Sequence, residues 1–147
     1  VGYSVIEKRK KLKPEYARLT GPQIVELKKQ GIQIDYPVEI PLVSYLGDTM
    51  YVDFSQLDYV SNSKILIAEC TFFVEEHAGR AEAGRHMHIE EFAGLLDRMN
   101  NQYVLIMHLT QRTGLGQIRK ILKKKLSSES FEKVHLLMDY RFNAKKP

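Results

Sequence analysis

Apolar positions fall into short runs along the chain, separated by segments with helical spacing. The runs at 3–6, 42–46, 65–68, 103–107 and 134–138 predict strands, and the continuous run at 65–68 is typical of a strand buried on both faces. Apolar residues at helical spacing predict helices over 21–31 and 89–99 and after Gly114. Strands separated by helices predict a layered α/β fold.

Prolines and charge runs predict the connections between these elements. We interpret the basic run 7–13 as a solvated turn, Pro14 as the start of a short helical turn, and Pro37 and Pro41 as the borders of a loop. No repeat or linker divides the sequence. We therefore expect 1–147 to form a single domain or a fragment of one.

The composition excludes several classes of protein. Apolar residues make up 44% of the 147 positions and charged ones 27%, which is globular rather than disordered. The 22 basic and 18 acidic residues give a formal net charge of +4. No apolar run approaches the ~20 residues that cross a bilayer, so no membrane partner is expected. Cys70 is the single cysteine, which excludes an intramolecular disulfide and favours a reducing, intracellular compartment.

Three titratable residues stand where predicted strands end. Asp48, Glu69 and His108 each follow an apolar run, and sites in α/β sheets form outside the carboxyl ends of strands. Carboxylate and imidazole groups together suit a hydrolytic divalent metal such as zinc. Spacing alone leaves open the simpler interpretation that strand ends are merely polar.

The short sequence words around these residues are more specific. They read YLGDT at 45–49, LIAECTF at 66–72, HMHI at 86–89 and MHLTQR at 107–112. In this order they resemble ribonuclease Z, the tRNA 3′-end endonuclease, and the opening of the chain resembles the short plant-type enzymes of that family. The resemblance implies the metallo-β-lactamase superfold, an αββα sandwich, of which this α/β chain would form one half with a mixed sheet and flanking helices.

The resemblance also implies a role for each site residue. Asp48 would bridge two zinc ions and His108 would be a terminal ligand of one of them, with manganese as the alternative metal. Glu69 and His86 would form a carboxylate–imidazole pair, in which the ring donates a proton to the leaving oxygen. The alternatives are a turn aspartate, a core histidine, a strand-end glutamate with any basic partner, and a loop histidine in solvent.

Other polar residues in and near these words have weaker functional interpretations. Thr110 and Arg112 occupy the family's Ser/Thr and Arg positions, where Arg112 would bind substrate phosphate through its guanidinium or form an ordinary salt bridge. His88 begins a predicted helix and is expected to be a helix-start residue rather than a ligand. His77 and His135 match no motif and are expected to be structural.

The family's principal ligand motif, H-x-H-x-D-H, is absent from this sequence, as is the further ligand histidine that normally precedes Gly-Asp-Thr. The chain therefore corresponds to the C-terminal half of the family fold. It is a fragment, which the start at Val1 favours, or a degenerate relative, or a protein whose N-terminal half another chain supplies. Two candidate ligands do not hold a dinuclear zinc site, so we expect the chain alone to be inactive.

The resemblance implies a zinc-dependent endoribonuclease that removes the 3′ trailer of precursor tRNA and forms a homodimer. One alternative is another hydrolase of the same superfold, phosphodiesterase-like or arylsulfatase-like. A second alternative is a non-catalytic half-fold that serves assembly or RNA binding. The basic segments 8–11 and 119–125 would contact tRNA phosphates in the first case, or would be solvated faces.

Overall fold

The computed structural model describes residues 1–137 and Asp139. Its strands are β1 (Tyr3–Leu12), β2 (Asp35–Tyr45), β3 (Ile65–Glu69), β4 (Tyr103–Met107) and β5 (Val134–Leu136). Its helices are α1 (Gly21–Lys29), α2 (Asp58–Ser61), α3 (Ala78–Gly84), α4 (Ile89–Leu96), α5 (Leu115–Lys125) and α6 (Ser128–Lys133), with 3-10 turns at Pro14–Tyr16, Phe54–Gln56 and Glu75–His77.

The chain divides into two compact units. The first comprises Val1–Val5 together with the chain from Pro41 onwards, and the second is Ile6–Ile40. In the second unit, α1 begins with a capping box in which the side chain of Gln23 accepts from the backbone N–H of Thr20 at 2.8 Å. All the candidate catalytic and metal-binding residues lie in the first unit.

The sheet contains the five strands in chain order, β1 to β5. The pairs β2–β3, β3–β4 and β4–β5 are parallel, and Glu69 at the end of β3 lies beside Met107 at the end of β4. Parallel neighbours require crossovers, which here are made by short helices. The predicted α/β class, with a sheet and flanking helices, is confirmed.

One face of the sheet carries the hydrophobic core. On this face, the side chains of β3, β4 and β5 are fully buried and pack with apolar residues of α4 and α5. The strand residues are Leu66, Ala68, Val104, Ile106, Val134 and Leu136, and the helix residues are Phe92, Leu95, Ile118 and Leu122. The opposite face of β3 and β4, at Ile65, Ile67, Leu105 and Met107, is only half-buried. The prediction that 65–68 is buried on both faces is therefore wrong for the described residues, because alternate side chains of a strand point to opposite faces and only one face is fully covered.

We expect Leu66→Ala to lower the free energy of unfolding of the 147-residue chain by about 2–5 kcal/mol, because it leaves a cavity in this core. Ile67→Ala is the matched control on the same strand and should cost clearly less, since its side chain is only half-buried. Urea denaturation measures both values. Equal losses would show that both faces of β3 are equally covered.

Two predicted connections are strands instead. Residues 7–12 of the basic run lie in β1, where Lys8 pairs with Glu39 at 3.0 Å and Lys10 with Asp35 at 4.0 Å on β2. These partners are distant in sequence, so the run resembles a solvated turn when it is considered alone. Pro37 and Pro41 lie inside β2 rather than beside a loop.

The prolines are compatible with β2 because they precede the part of the strand that pairs with β3. That pairing begins at Val43, so the missing N–H groups interrupt none of its hydrogen bonds. The other predicted elements are present, including the turn at Pro14–Tyr16 and a helix after Gly114. Met138 of the last predicted strand lies outside the described residues. Within the described part, no helix has both the length and the apolarity needed to span a membrane.

Candidate active site

The ends of three neighbouring strands carry the candidate site. Asp48 follows β2 after Gly47, Glu69 is the last residue of β3, and His108 comes directly after β4. Gly47 has a φ of +72°, a left-handed backbone conformation that glycine adopts without strain. Because β2, β3 and β4 are parallel, their carboxyl ends meet at one edge of the sheet, as the sequence predicts.

Glu69 is the buried centre of this cluster, with no exposed surface. Its Oε1 accepts hydrogen bonds from the backbone N–H of Thr49 at 3.1 Å and from Nδ1 of His86 at 2.9 Å. Its Oε2 accepts from the hydroxyl of Thr71 at 2.5 Å. A buried carboxylate needs such donors, and the expected contact between Glu69 and His86 is present.

His86 is held by a sharp turn after α3. Arg85 ends the helix in the left-handed conformation, with φ of 55°. At Gly84, an added Cβ would lie 3.1 Å from Cδ2 of His86, so the absence of a side chain there leaves room for the ring. The His86 side chain stays 23% exposed, so part of the ring is open to solvent.

His108 also has a left-handed backbone, with φ of 57°. Such a conformation costs a non-glycine residue of the order of 1–3 kcal/mol, and strained residues of this kind cluster at active sites and ligand-binding loops. Its ring stacks on that of His86, with centroids 4.8 Å apart and an interplanar angle of 23°. Its Nδ1 lies 2.8 Å from Oγ1 of Thr71, and its Nε2 lies 3.5 Å from Oδ2 of Asp48.

These side chains fit a divalent cation. Ligand atoms of Glu69, His86 and His108 all lie within 4.8 Å of one another. The 3.5 Å between Asp48 Oδ2 and His108 Nε2 is close to the ~3.3 Å that separates two ligands of tetrahedral zinc at bond lengths of about 2.0–2.1 Å. Glu69 already accepts three hydrogen bonds, which leaves Asp48 and His108 as the candidate ligands.

Cys70 lies between Glu69 and Thr71 but takes no part in the cluster. It is fully buried, and burial, together with the nearby carboxylates of Glu69 and Glu91, raises the pKa of its thiol well above the usual range. A metal binds the thiolate rather than the thiol. Cys70 is therefore a core residue rather than a ligand.

The loop after His108 is tied to the site through its backbone. The N–H of Thr110 donates to the carbonyl of Thr71 at 3.1 Å, and the hydroxyl of Thr110 accepts from the N–H of Arg112 at 3.2 Å. The side chain of Arg112 is exposed, and no ion pair among the described residues joins it to the cluster. Its substrate-binding role stays a prediction.

The remaining histidines lie outside the cluster. Nδ1 of His88 accepts from the N–H of Glu90 at 3.4 Å, and Glu91 accepts from the N–H of His88 at 3.0 Å, so this residue caps α4 as expected. The ring of His77 packs edge-on against Phe72, with centroids 5.7 Å apart.

Sequence reasoning missed Thr49 and Thr71, both of which donate to Glu69. Each stands in one of the motif words, directly after Asp48 and two residues after Glu69. Their place within the motif words was the sequence signal that could have indicated a role in the site. The contact between Thr71 and His108 joins residues 37 positions apart, which no local pattern contains.

Comparison with known proteins relates this site to a family. The chain is 31% identical over 144 residues to the chloroplastic tRNase Z TRZ2 of Arabidopsis thaliana, covering 95% of this chain and 40% of that protein. It is 33% identical over 124 residues to tRNase Z TRZ1 of the same plant, covering 80% and 43%. The chain is related to the tRNase Z enzymes. It spans less than half the length of either relative. No protein-family model matches the sequence.

A solved structure shows the same fold. The metallo-β-lactamase fold protein YhfI of Bacillus subtilis superposes with a TM-score of 0.51 at 18% identity, covering 89% of this chain and 45% of that one. The predicted metallo-β-lactamase fold is confirmed. The partial coverage of the tRNase Z relatives and of this structure fits the expected C-terminal half.

Proposed function

We propose that this chain supplies part of the active site of a metal-dependent endoribonuclease that removes the 3′ trailer of precursor tRNA. The observation that carries the proposal is one cluster at the strand ends, in which the Glu69–His86 pair lies against the Asp48–His108 pair. The relationship to two plant tRNase Z enzymes supports precursor tRNA as the substrate.

Asp48 and His108 would hold the cation, which we propose to be zinc, with manganese as the alternative. Oxygen and nitrogen donors of this kind suit either metal. When bound, the cation supplies positive charge at the scissile phosphate and makes water a stronger nucleophile at neutral pH. Both side chains are about half-exposed, at 50% and 41%, and so are open to a substrate.

His86 would act as the general acid. Its Nδ1–H donates to Glu69, which orients the ring and compensates its positive charge, while Nε2 carries the proton to be transferred. In trailer removal the bond from phosphorus to the 3′ oxygen breaks as water attacks phosphorus. The proton from His86 then passes to that leaving oxygen, which becomes the 3′-hydroxyl of the tRNA.

We further propose that residues outside this sequence supply the H-x-H-x-D-H motif and the other half of the sandwich. Two ligands leave most of a dinuclear site unfilled. The chain spans only 40% and 43% of its two plant relatives. The half-buried apolar face of β3 and β4 offers a surface for a second sheet. Assembly as a homodimer stays a prediction.

The two basic segments differ as candidate RNA contacts. In 8–11, Lys8, Arg9 and Lys10 each pair with a carboxylate. On α5, Arg119 pairs with Asp139 and Lys125 with Glu90, whereas Lys123 and Lys124 are exposed and form no ion pair with the described residues. Because free ammonium groups release more counterions on binding phosphate, we propose α5 as the better contact for tRNA.

Incubation of the complete gene product with a precursor tRNA tests the proposed function. We expect release of the trailer with a 3′-hydroxyl on the tRNA, loss of cleavage after chelation, and recovery when zinc is restored. Gel analysis of the end-labelled RNA measures all three. Cleavage of small phosphodiesters alone would favour another hydrolase of the fold, and RNA binding without cleavage would favour a non-catalytic module.

A further inference from the structure

Thr71 connects the two histidines of the site through one carboxylate. It is 6% exposed, and its hydroxyl lies 2.5 Å from Oε2 of Glu69 and 2.8 Å from Nδ1 of His108. Glu69 also contacts His86 directly. The carboxylate therefore reaches one ring directly and the other ring through a single hydroxyl.

The direction of these hydrogen bonds follows from the donors present. Oε1 of Glu69 accepts the backbone N–H of Thr49 and contacts Nδ1 of His86, while Oε2 accepts from the hydroxyl of Thr71. A threonine hydroxyl has one proton, and in Thr71 that proton is donated to Glu69. The oxygen of Thr71 is then an acceptor toward His108, and Nδ1 of His108 must carry a proton.

We propose that Thr71 is a positioning residue that holds neutral His108 in its Nδ1–H tautomer. In this tautomer Nε2 has a free lone pair, and Nε2 is the nitrogen that faces Asp48 at 3.5 Å. The tautomer itself does not depend on the proposed function. Its consequence rests on that function, and the consequence is that the Nε2 lone pair of His108 is free to bind the cation. Partners of this kind set the ring orientation and basicity of metal-binding histidines.

NMR of the 147-residue chain labelled with ¹⁵N-histidine tests the tautomer without metal or substrate. At a pH where the rings are neutral, protonated and unprotonated ring nitrogens differ strongly in ¹⁵N chemical shift. The signals that disappear in His108→Gln are those of His108. We expect the Nδ1–H form at His108 in the unmodified chain. Thr71→Val keeps the branched shape but removes the hydroxyl, so the Nε2–H form should become the major one. Thr71→Ser should restore Nδ1–H.

Thr110→Val is the matched control, because it removes a threonine hydroxyl that accepts from the backbone of Arg112 rather than from His108. It should leave the tautomer unchanged. An Nε2–H form of His108 in the unmodified chain, or no change in Thr71→Val, would overturn the positioning role. If Thr71→Val fails to fold by circular dichroism, the tautomer of the unmodified chain decides alone.

Titration of the same variants with Zn²⁺ alone separates this inference from the proposed function. We expect Thr71→Val to bind zinc about 10–100-fold more weakly than the unmodified chain, with recovery in Thr71→Ser. If the tautomer changes in Thr71→Val but the zinc affinity does not, the positioning role of Thr71 is supported. The same result would overturn the assignment of His108 as a metal ligand.

Discussion

Asp48→Ala is expected to abolish trailer cleavage by the complete gene product and to reduce its bound metal. Asp48 is the exposed carboxylate that faces Nε2 of His108 at 3.5 Å, and its loss removes a negative charge that would offset the cation. Metal analysis after dialysis and a cleavage assay measure the two effects. Loss of activity and loss of metal should occur together.

Asp58→Ala is the control for this substitution. Asp58 is an exposed aspartate at the start of α2 and lies outside the cluster, so cleavage and metal content should stay at the level of the unmodified protein. Full metal content in the Asp48 variant would contradict its assignment as a ligand.

His86→Ala should slow cleavage by roughly 10²–10⁴-fold while metal content is retained, because general acid catalysis contributes about that factor. The ring meets Glu69 through Nδ1 and leaves Nε2 for the leaving oxygen. Single-turnover kinetics separate the chemical step from RNA binding, which should change little.

The matched control is His135→Ala, which removes a half-buried histidine of β5 whose ring lies 6.0 Å from that of Tyr103, outside the cluster. It should leave the rate of the chemical step unchanged. If His86→Ala loses its metal, His86 is a ligand rather than the general acid, since its stacked position beside His108 would also allow Nε2 to reach a cation.

The parts of the fold that follow from the sequence are those with contiguous apolar residues. The runs at 65–68 and 103–107 become β3 and β4, and the spacing from Ile89 becomes α4, because each buries its own apolar face. The second part of β1 and the first part of β2 differ. Their charged residues pair with one another across the strands, and such pairs leave no local pattern.

The sequence by itself determined that Asp48, Glu69 and His108 each follow an apolar strand, because the apolar runs stop directly before them. That these strands are parallel neighbours, so that their ends meet at one edge of the sheet, was decided by the tertiary structure. Only the tertiary structure decided how these side chains are connected. The Thr71 hydroxyl between Glu69 and His108, and the left-handed backbone at His108, depend on atoms that are far apart in the chain. Local patterns record which face of an element is buried, whereas hydrogen-bond partners in a buried site are set by the packing of separate elements.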